Sequence, residues 1–259
     1  MVNGGEMAFT IAMAGKGGVG KTTLCGFLIR YLIEKKKGPV LAVDADANSN
    51  LHEVLGIKVD QQVGTIREDS KHRARKEELA SVSNVDNMEL MINQALIEAK
   101  GVDLISMGRP EGPGCYCFPN HVIRRFMDKL SDNYPYVVMD NEAGLEHLSR
   151  RTTQDTDLML IVSDPSARSL RTVGRVKELI IELELRVHKI GLIVNRAAGE
   201  LPQESLNVIK ETGVDLLGVV RADETLASYD LKNIPLIELP QEDAALKTAW
   251  GIFDGLNIP

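Results

Sequence analysis

The sequence predicts an α/β fold with a doubly wound, mainly parallel sheet of seven or eight strands flanked by helices. Three observations predict it. Short apolar runs alternate with stretches whose apolar residues recur at helical spacing. A glycine-rich loop, Gly15 to Thr23, joins the first apolar run to the first such helix. Several runs also end on an aspartate or asparagine (Asp44, Asp140, Asn195), as expected when the C-terminal ends of parallel strands carry the site. With 259 residues the chain is expected to form a single domain, 1–259, large enough to bury a substantial core.

Taken in order, Phe9-Thr10-Ile11-Ala12-Met13-Ala14 reads as the first strand, and Leu24, Phe27, Leu28, Tyr31 and Leu32 mark the first helix. That helix is expected to end at Lys35-Lys36-Lys37-Gly38, where cations suit the C-terminal dipole and glycine supplies the stop. Pro39 to Val43 is the next buried strand and leads into Asp44-Ala45-Asp46. Thr65 to Glu78, with Arg67, Lys71, Arg73, Arg75 and Lys76, reads as a polar surface insertion with a short helix. Asn87 to Ala99 follows as an amphipathic helix carrying Met88, Met91, Ile92, Ala95 and Leu96. Asp103 to Met107 is a third strand, and Gly108 to Gly114 is too rich in glycine and proline for regular structure. Pro119 opens a helix through Val122, Ile123, Phe126 and Leu130. Strands are then expected at Tyr136 to Met139, Leu158 to Val162, Ile190 to Val194 and Leu216 to Val220, with a long helix from Ser166 to Leu185. A short strand at Leu236-Ile237 and a helix from Glu242 to Leu256 complete the prediction.

The loop carries the chemistry. Gly15, four residues, then Gly20-Lys21-Thr22 is the phosphate-loop spacing: backbone N–H groups cradle phosphates, Lys21 reaches the outer ones and the Thr22 hydroxyl takes magnesium. Gly17, Gly18, Val19 and Thr23 complete the cradle, and its position between strand and helix is the context the motif requires. Lys16 is a second lysine inside the loop, which on its own reads as a solvated side chain. Magnesium needs further support through carboxylate or water, and Asp140 stands where a P-loop enzyme places that residue; a helix cap is the alternative reading. Gly144 follows in Asn141-Glu142-Ala143-Gly144, where its N–H can swing toward a γ-phosphate. For positioning the attacking water the candidate is Asp46, then Asp44, each of which could instead cap the next helix. Asn195-Arg196-Ala197-Ala198 lacks the final aspartate of a guanine-reading loop, so ATP is favoured. Asn195 could offer its amide to the adenine edge or simply end its strand in a turn.

Composition narrows the partners. Thirty Lys+Arg against 37 Asp+Glu, with no basic tail, argues against nucleic acid. No apolar stretch approaches a membrane span and the start is no signal peptide, so a cytoplasmic protein is expected. Of three cysteines, Cys25 reads as core, whereas Cys115 and Cys117 are nearly adjacent, which in a reducing compartment points to metal or redox chemistry. Two thiolates cannot fill a four-coordinate site, but two copies about a two-fold axis supply four sulfurs, suited to zinc or nickel. Buried or redox-paired thiols are the alternative. His121 follows at ligand-like distance but reads more simply as exposed or capping.

Lys16, Asp44, Asp46, the Asp140-to-Gly144 segment and Asn195 together resemble the MinD-like ATPases with a deviant phosphate loop. The resemblance implies that Lys16 reaches across a nucleotide-sandwiched homodimer to the partner's phosphates, that Asp46 positions water, and that Asp140 and Gly144 form the second switch. Glu142 stands where relatives often have proline. Within that group, Gly108 to Cys117 and Asp140 to Leu148 resemble the CooC-type nickel-inserting ATPases that mature carbon monoxide dehydrogenase, with a counterpart serving acetyl-CoA synthase. This implies Cys115 and Cys117 as the metal site at the dimer interface, nickel as cargo, and one of those enzymes as recipient. Two other readings compete: a positioning ATPase acting on membrane or DNA, and an iron–sulfur electron carrier like the nitrogenase iron protein. The stretch Gln241 to Pro259, with Lys247 its one base, argues against the first. The tight Cys-x-Cys spacing argues against the second.

Overall fold

Strand β1, Phe9–Gly15, lies at the centre of the sheet and runs directly into the glycine-rich loop. The computed structural model describes residues 8–36, 38–59, 62–63, 95–108, 130–141 and 155–259. The remaining strands are β2 (Val40–Ala45), β3 (Leu96–Ala99), β4 (Val102–Ser106), β5 (Tyr136–Asn141), β6 (Asp155–Ser163), β7 (Arg186–Ala197) and β8 (Asp215–Arg221). They form one eight-stranded sheet in the order β3-β4-β2-β5-β1-β6-β7-β8, parallel throughout except for the β3–β4 pair. The chain therefore winds outward in both directions from β1, and the crevice at that reversal is where such sheets bind ligands.

Central strands read as continuous apolar runs because both faces are covered, yet their side chains still alternate. Ile11, Met13, Val40 and Ala42 enter one core, while Ala12, Ala14, Leu41 and Val43 enter the other. Helices α1 (Lys21–Tyr31) and α2 (Leu51–Leu55) lie among the described helices before β3; α3 (Ala167–Glu182), α4 (Gln203–Thr212), α5 (Glu224–Leu231) and α6 (Ala244–Asp254) follow β6. The first core receives Leu24, Phe27 and Leu28 from α1 and Leu246, Ala249 and Phe253 from α6. Tyr31 meets Phe253 and Trp250 edge-on, with centroids 5.6 and 6.1 Å away, and its hydroxyl donates to Asp254. The second core takes Leu170, Val173, Val176 and Ile180 from α3, whose N-cap is Ser166, where the sequence places the start of the helix. Cys25 is fully buried, in agreement with its core reading.

Two local expectations are corrected and others are refined. Leu96 to Ala99, assigned to the end of an amphipathic helix, is strand β3; Gly101, at φ 81°, closes a tight hairpin to β4, and pairing with β4 outweighs the helical spacing. Leu236–Glu238 is a 3-10 turn after Pro235 rather than a strand. The first helix passes at Leu32–Lys36 into a π-helical turn. Helices α2, α4 and α5 are additions to the predicted elements. The expected insertion at Thr65 to Glu78, the helix part before Ala95, and the helix opened by Pro119 lie outside the described residues, apart from Leu130. Among the described residues no helix is long and apolar enough to cross a membrane.

Gly15 closes β1 at φ 141°, and a Cβ there would collide with the Val162 carbonyl oxygen on β6. Backbone strain and overpacking combine, so Gly15→Ala is expected to destabilise the fold by about 3 kcal/mol. Urea unfolding followed by circular dichroism should show a lower midpoint; an unchanged midpoint would remove the steric role of this glycine.

Candidate functional site

Strand register, more than any single side chain, assembles the site. Met13 of β1 pairs with Asp140 of β5, Asp44 of β2 pairs with the same Asp140, and Gly15 pairs with Val162 of β6. The phosphate loop and two aspartates far apart in sequence thus share the C-terminal end of the central strands.

The loop is shaped by left-handed glycines, Gly18 at φ 79° and Gly20 at φ 92°, the second capping α1. Its lysines differ in setting: Lys16 is exposed, while Lys21 is buried at 7 % exposure. The Lys21 Nζ donates to the carbonyls of Gly15 at 3.3 Å and Lys16 at 3.2 Å, which holds the ammonium inside the loop. The end of β7 braces the loop from the other side. Asn195 Nδ2 donates to the Val19 carbonyl at 2.9 Å, and Arg196, at φ 59°, donates to that of Gly18 at 2.8 Å. A Cβ on Gly20 would overlap the Asn195 amide, which explains glycine at that position independently of phosphate. The Asn195 amide therefore bonds the loop in this structure.

Asp140 is 1 % exposed and lies near enough to the Thr22 hydroxyl to feel it, while its Oδ1 has no hydrogen-bond partner among the described residues. Burial pushes its carboxyl up to about 6, against the lowering effects of Thr22 and Lys21. Asp44 is fully buried and is pushed up to about 8, by burial first and then by the charge of Asp140. Its two oxygens accept from the backbone N–H groups of Asp46 at 3.1 Å and Leu51 at 3.0 Å, so it organises the turn into α2. Asp46 lies further out; its Oδ1 accepts from the Asn48 N–H at 2.8 Å, a local turn compatible with a carboxylate facing solvent.

A hydroxyl beside a buried carboxylate with an orphaned oxygen fits a hard cation with oxygen ligands. Thr22 and, through water, Asp140 would hold magnesium, and the metal would neutralise phosphate charge there. Among the described residues no group of three His, Cys, Asp or Glu side chains is arranged to hold a metal. Cys115, Cys117, Gly144 and His121 lie outside the described residues. Sequence reasoning missed Ser49, whose hydroxyl accepts from the Gly108 N–H at 2.9 Å; the signal available was a small polar residue shortly after Asp44-Ala45-Asp46.

Comparison with known proteins agrees with this geometry. Residues 10–236 match the CobQ/CobB/MinD/ParA nucleotide binding domain. The chain is 44% identical over 238 residues to an uncharacterized ATP-binding protein of Methanocaldococcus jannaschii, covering 92% of this chain and 94% of that protein. It is 30% identical over 241 residues to the carbon monoxide dehydrogenase accessory protein CooC of Rhodospirillum rubrum, covering 88% and 89%. The septum site-determining protein MinD of Pyrococcus horikoshii OT3, solved with Mg-ADP, superposes with a TM-score of 0.71 at 21% identity over 97% of this chain and 96% of that one. The chain belongs to the CobQ/CobB/MinD/ParA nucleotide-binding domain family and is a P-loop ATPase.

Proposed function

We propose that this ATPase is a metallochaperone: its nucleotide-dependent homodimer binds nickel through Cys115 and Cys117 and supports insertion into carbon monoxide dehydrogenase or acetyl-CoA synthase. The supporting observation is a pairing. The chain is similar along 88% of its length to the accessory protein CooC, and it carries the closely spaced Cys115 and Cys117 that a two-fold axis would turn into a four-thiolate site. Such a site takes zinc as readily as nickel, so the resting metal is part of the test.

In this reading ATP and magnesium occupy the loop from Gly15 to Thr23. Lys21 binds the outer phosphates and Lys16 crosses to the partner's nucleotide. Thr22 holds magnesium directly and Asp140 through water, with Gly144 reporting the γ-phosphate. Asp46 orients the attacking water and Asp44 holds the turn that presents it. Asn195 and Arg196 fix the loop carbonyls, leaving the N–H groups for phosphate, and the free edge of the Asn195 amide is available to adenine. ATP closes two protomers around the thiolates; hydrolysis releases them, and metal with them.

The competing role, positioning on a membrane, finds no support in α6, whose apolar residues Ala245, Leu246, Ala249, Trp250 and Phe253 are buried within the protein. Anaerobically purified protein, with and without ATP and nickel, should show one metal ion per two chains in a dimer-sized species. The Cys115→Ser, Cys117→Ser variant should lose that metal on dialysis. Stoichiometric metal retained by the variant would overturn the assignment, and ATP-dependent co-sedimentation with liposomes or plasmid would favour the positioning role.

A further inference from the structure

The turn that follows Asp46 is held from an unexpected direction. Ser49 is 1 % exposed and adopts φ 51°, a left-handed conformation that side chains other than glycine rarely take and that clusters at functional sites. Its surroundings fix it there. The Ser49 N–H and hydroxyl both donate to the Asp46 carbonyl, each at 3.1 Å, and the same hydroxyl oxygen accepts from the Gly108 N–H at 2.9 Å. A serine hydroxyl has one proton and accepts through its lone pairs, so this one is used in both directions. Gly108 is also left-handed, at φ 61°, and follows Met107, whose N–H donates to the Asp44 carbonyl and extends the β2–β4 ladder. The far end of β4 is thereby joined to the Asp46 loop through one buried hydroxyl.

We propose that Ser49 is a positioning residue for ATP hydrolysis, relaying the place of the backbone at Gly108 to the loop that presents Asp46. The inference rests on the reading of Asp46 as the residue that orients water. Ser49 touches no reacting atom; it acts by keeping the Asp46 backbone in one place, and small misplacements of such a group cost rate rather than binding. Gly108 also opens, in sequence, the stretch leading to Cys115 and Cys117.

The test compares Ser49→Ala, Ser49→Gly, Asp46→Asn and the Ser49→Ala, Asp46→Asn double variant in the full chain, by phosphate release, ATP affinity and thermal melting. Both Ser49 variants should lower kcat by about 10- to 100-fold with KM for ATP nearly unchanged. In the Asp46→Asn background, Ser49→Ala should cause no further loss, because two residues acting through one function are not additive. Ser49→Gly accepts φ 51° without strain, so it isolates the hydroxyl even if Ser49→Ala folds poorly. Wild-type hydrolysis by Ser49→Gly, or an equal loss from Ser49→Ala in both backgrounds, would overturn the relay. Wild-type hydrolysis by Asp46→Asn would instead overturn the reading on which the relay rests, and is seen without any Ser49 variant.

Discussion

Lys21→Ala should abolish nucleotide-dependent behaviour, with hydrolysis falling by about 10²- to 10³-fold and ATP affinity falling with it. The expectation follows from where the ammonium sits. Lys21 is buried, bonded to the Gly15 and Lys16 carbonyls, and close enough to Asp140 to pull that carboxyl down. An arriving phosphate replaces neutral carbonyl acceptors of the ammonium with anionic ones, a gain unavailable to alanine. Lys16→Ala is the informative contrast, because Lys16 is exposed where Lys21 is buried. That variant should bind ATP as a monomer with nearly normal affinity but fail to dimerise in ATP. Fluorescent-nucleotide titration and size-exclusion chromatography read both effects; unchanged ATP-dependent dimerisation of Lys16→Ala would remove the trans role of that lysine.

Asp46→Asn should lower kcat by about 10²- to 10⁴-fold while leaving ATP binding intact, the range spanned by loss of a positioned acid–base group. Asparagine is the appropriate replacement because its Oδ1 can still accept from the Asn48 N–H, and the carbonyl that receives Ser49 is backbone. The turn therefore survives and only the charge is removed. Single-turnover phosphate release should slow, and ATP should hold the variant in its dimeric form for longer than the wild type. Hydrolysis at the normal rate would take Asp46 out of the mechanism.

Much of the architecture is legible in the sequence. Runs such as Ile11 to Ala14 and Val40 to Val43 are apolar at every position because both sheet faces are covered, and helices α3 and α6 carry apolar stripes that reach the two cores. The elements that were not foreseen had weaker patterns. Helix α5 buries no residue and starts from an Asp223 cap that accepts from Thr225 and Leu226, while α4 is largely polar with Ser205 and Ile209 turned inward. Strand β3 was hidden because Ala95 and Leu96 also satisfy a helical period; the Gly101 turn and pairing with β4 decided otherwise.

At the site, the sequence by itself determined the chemistry: which loop cradles phosphate, which residues bear the charges, and that two thiols stand two residues apart. Those inferences depend on residue types at fixed short spacing, which local geometry alone constrains. Tertiary structure decided how residues from distant strands meet. The registers of β1, β2 and β5 bring Asp44 and Asp140 together in burial deep enough to raise both carboxyls, the Asn195 and Arg196 side chains reach back to the phosphate loop, and Ser49 joins Asp46 to Gly108. No sequence period encodes such contacts, because hydrogen bonding between parallel strands fixes their mutual register only once the intervening chain has crossed over and packed.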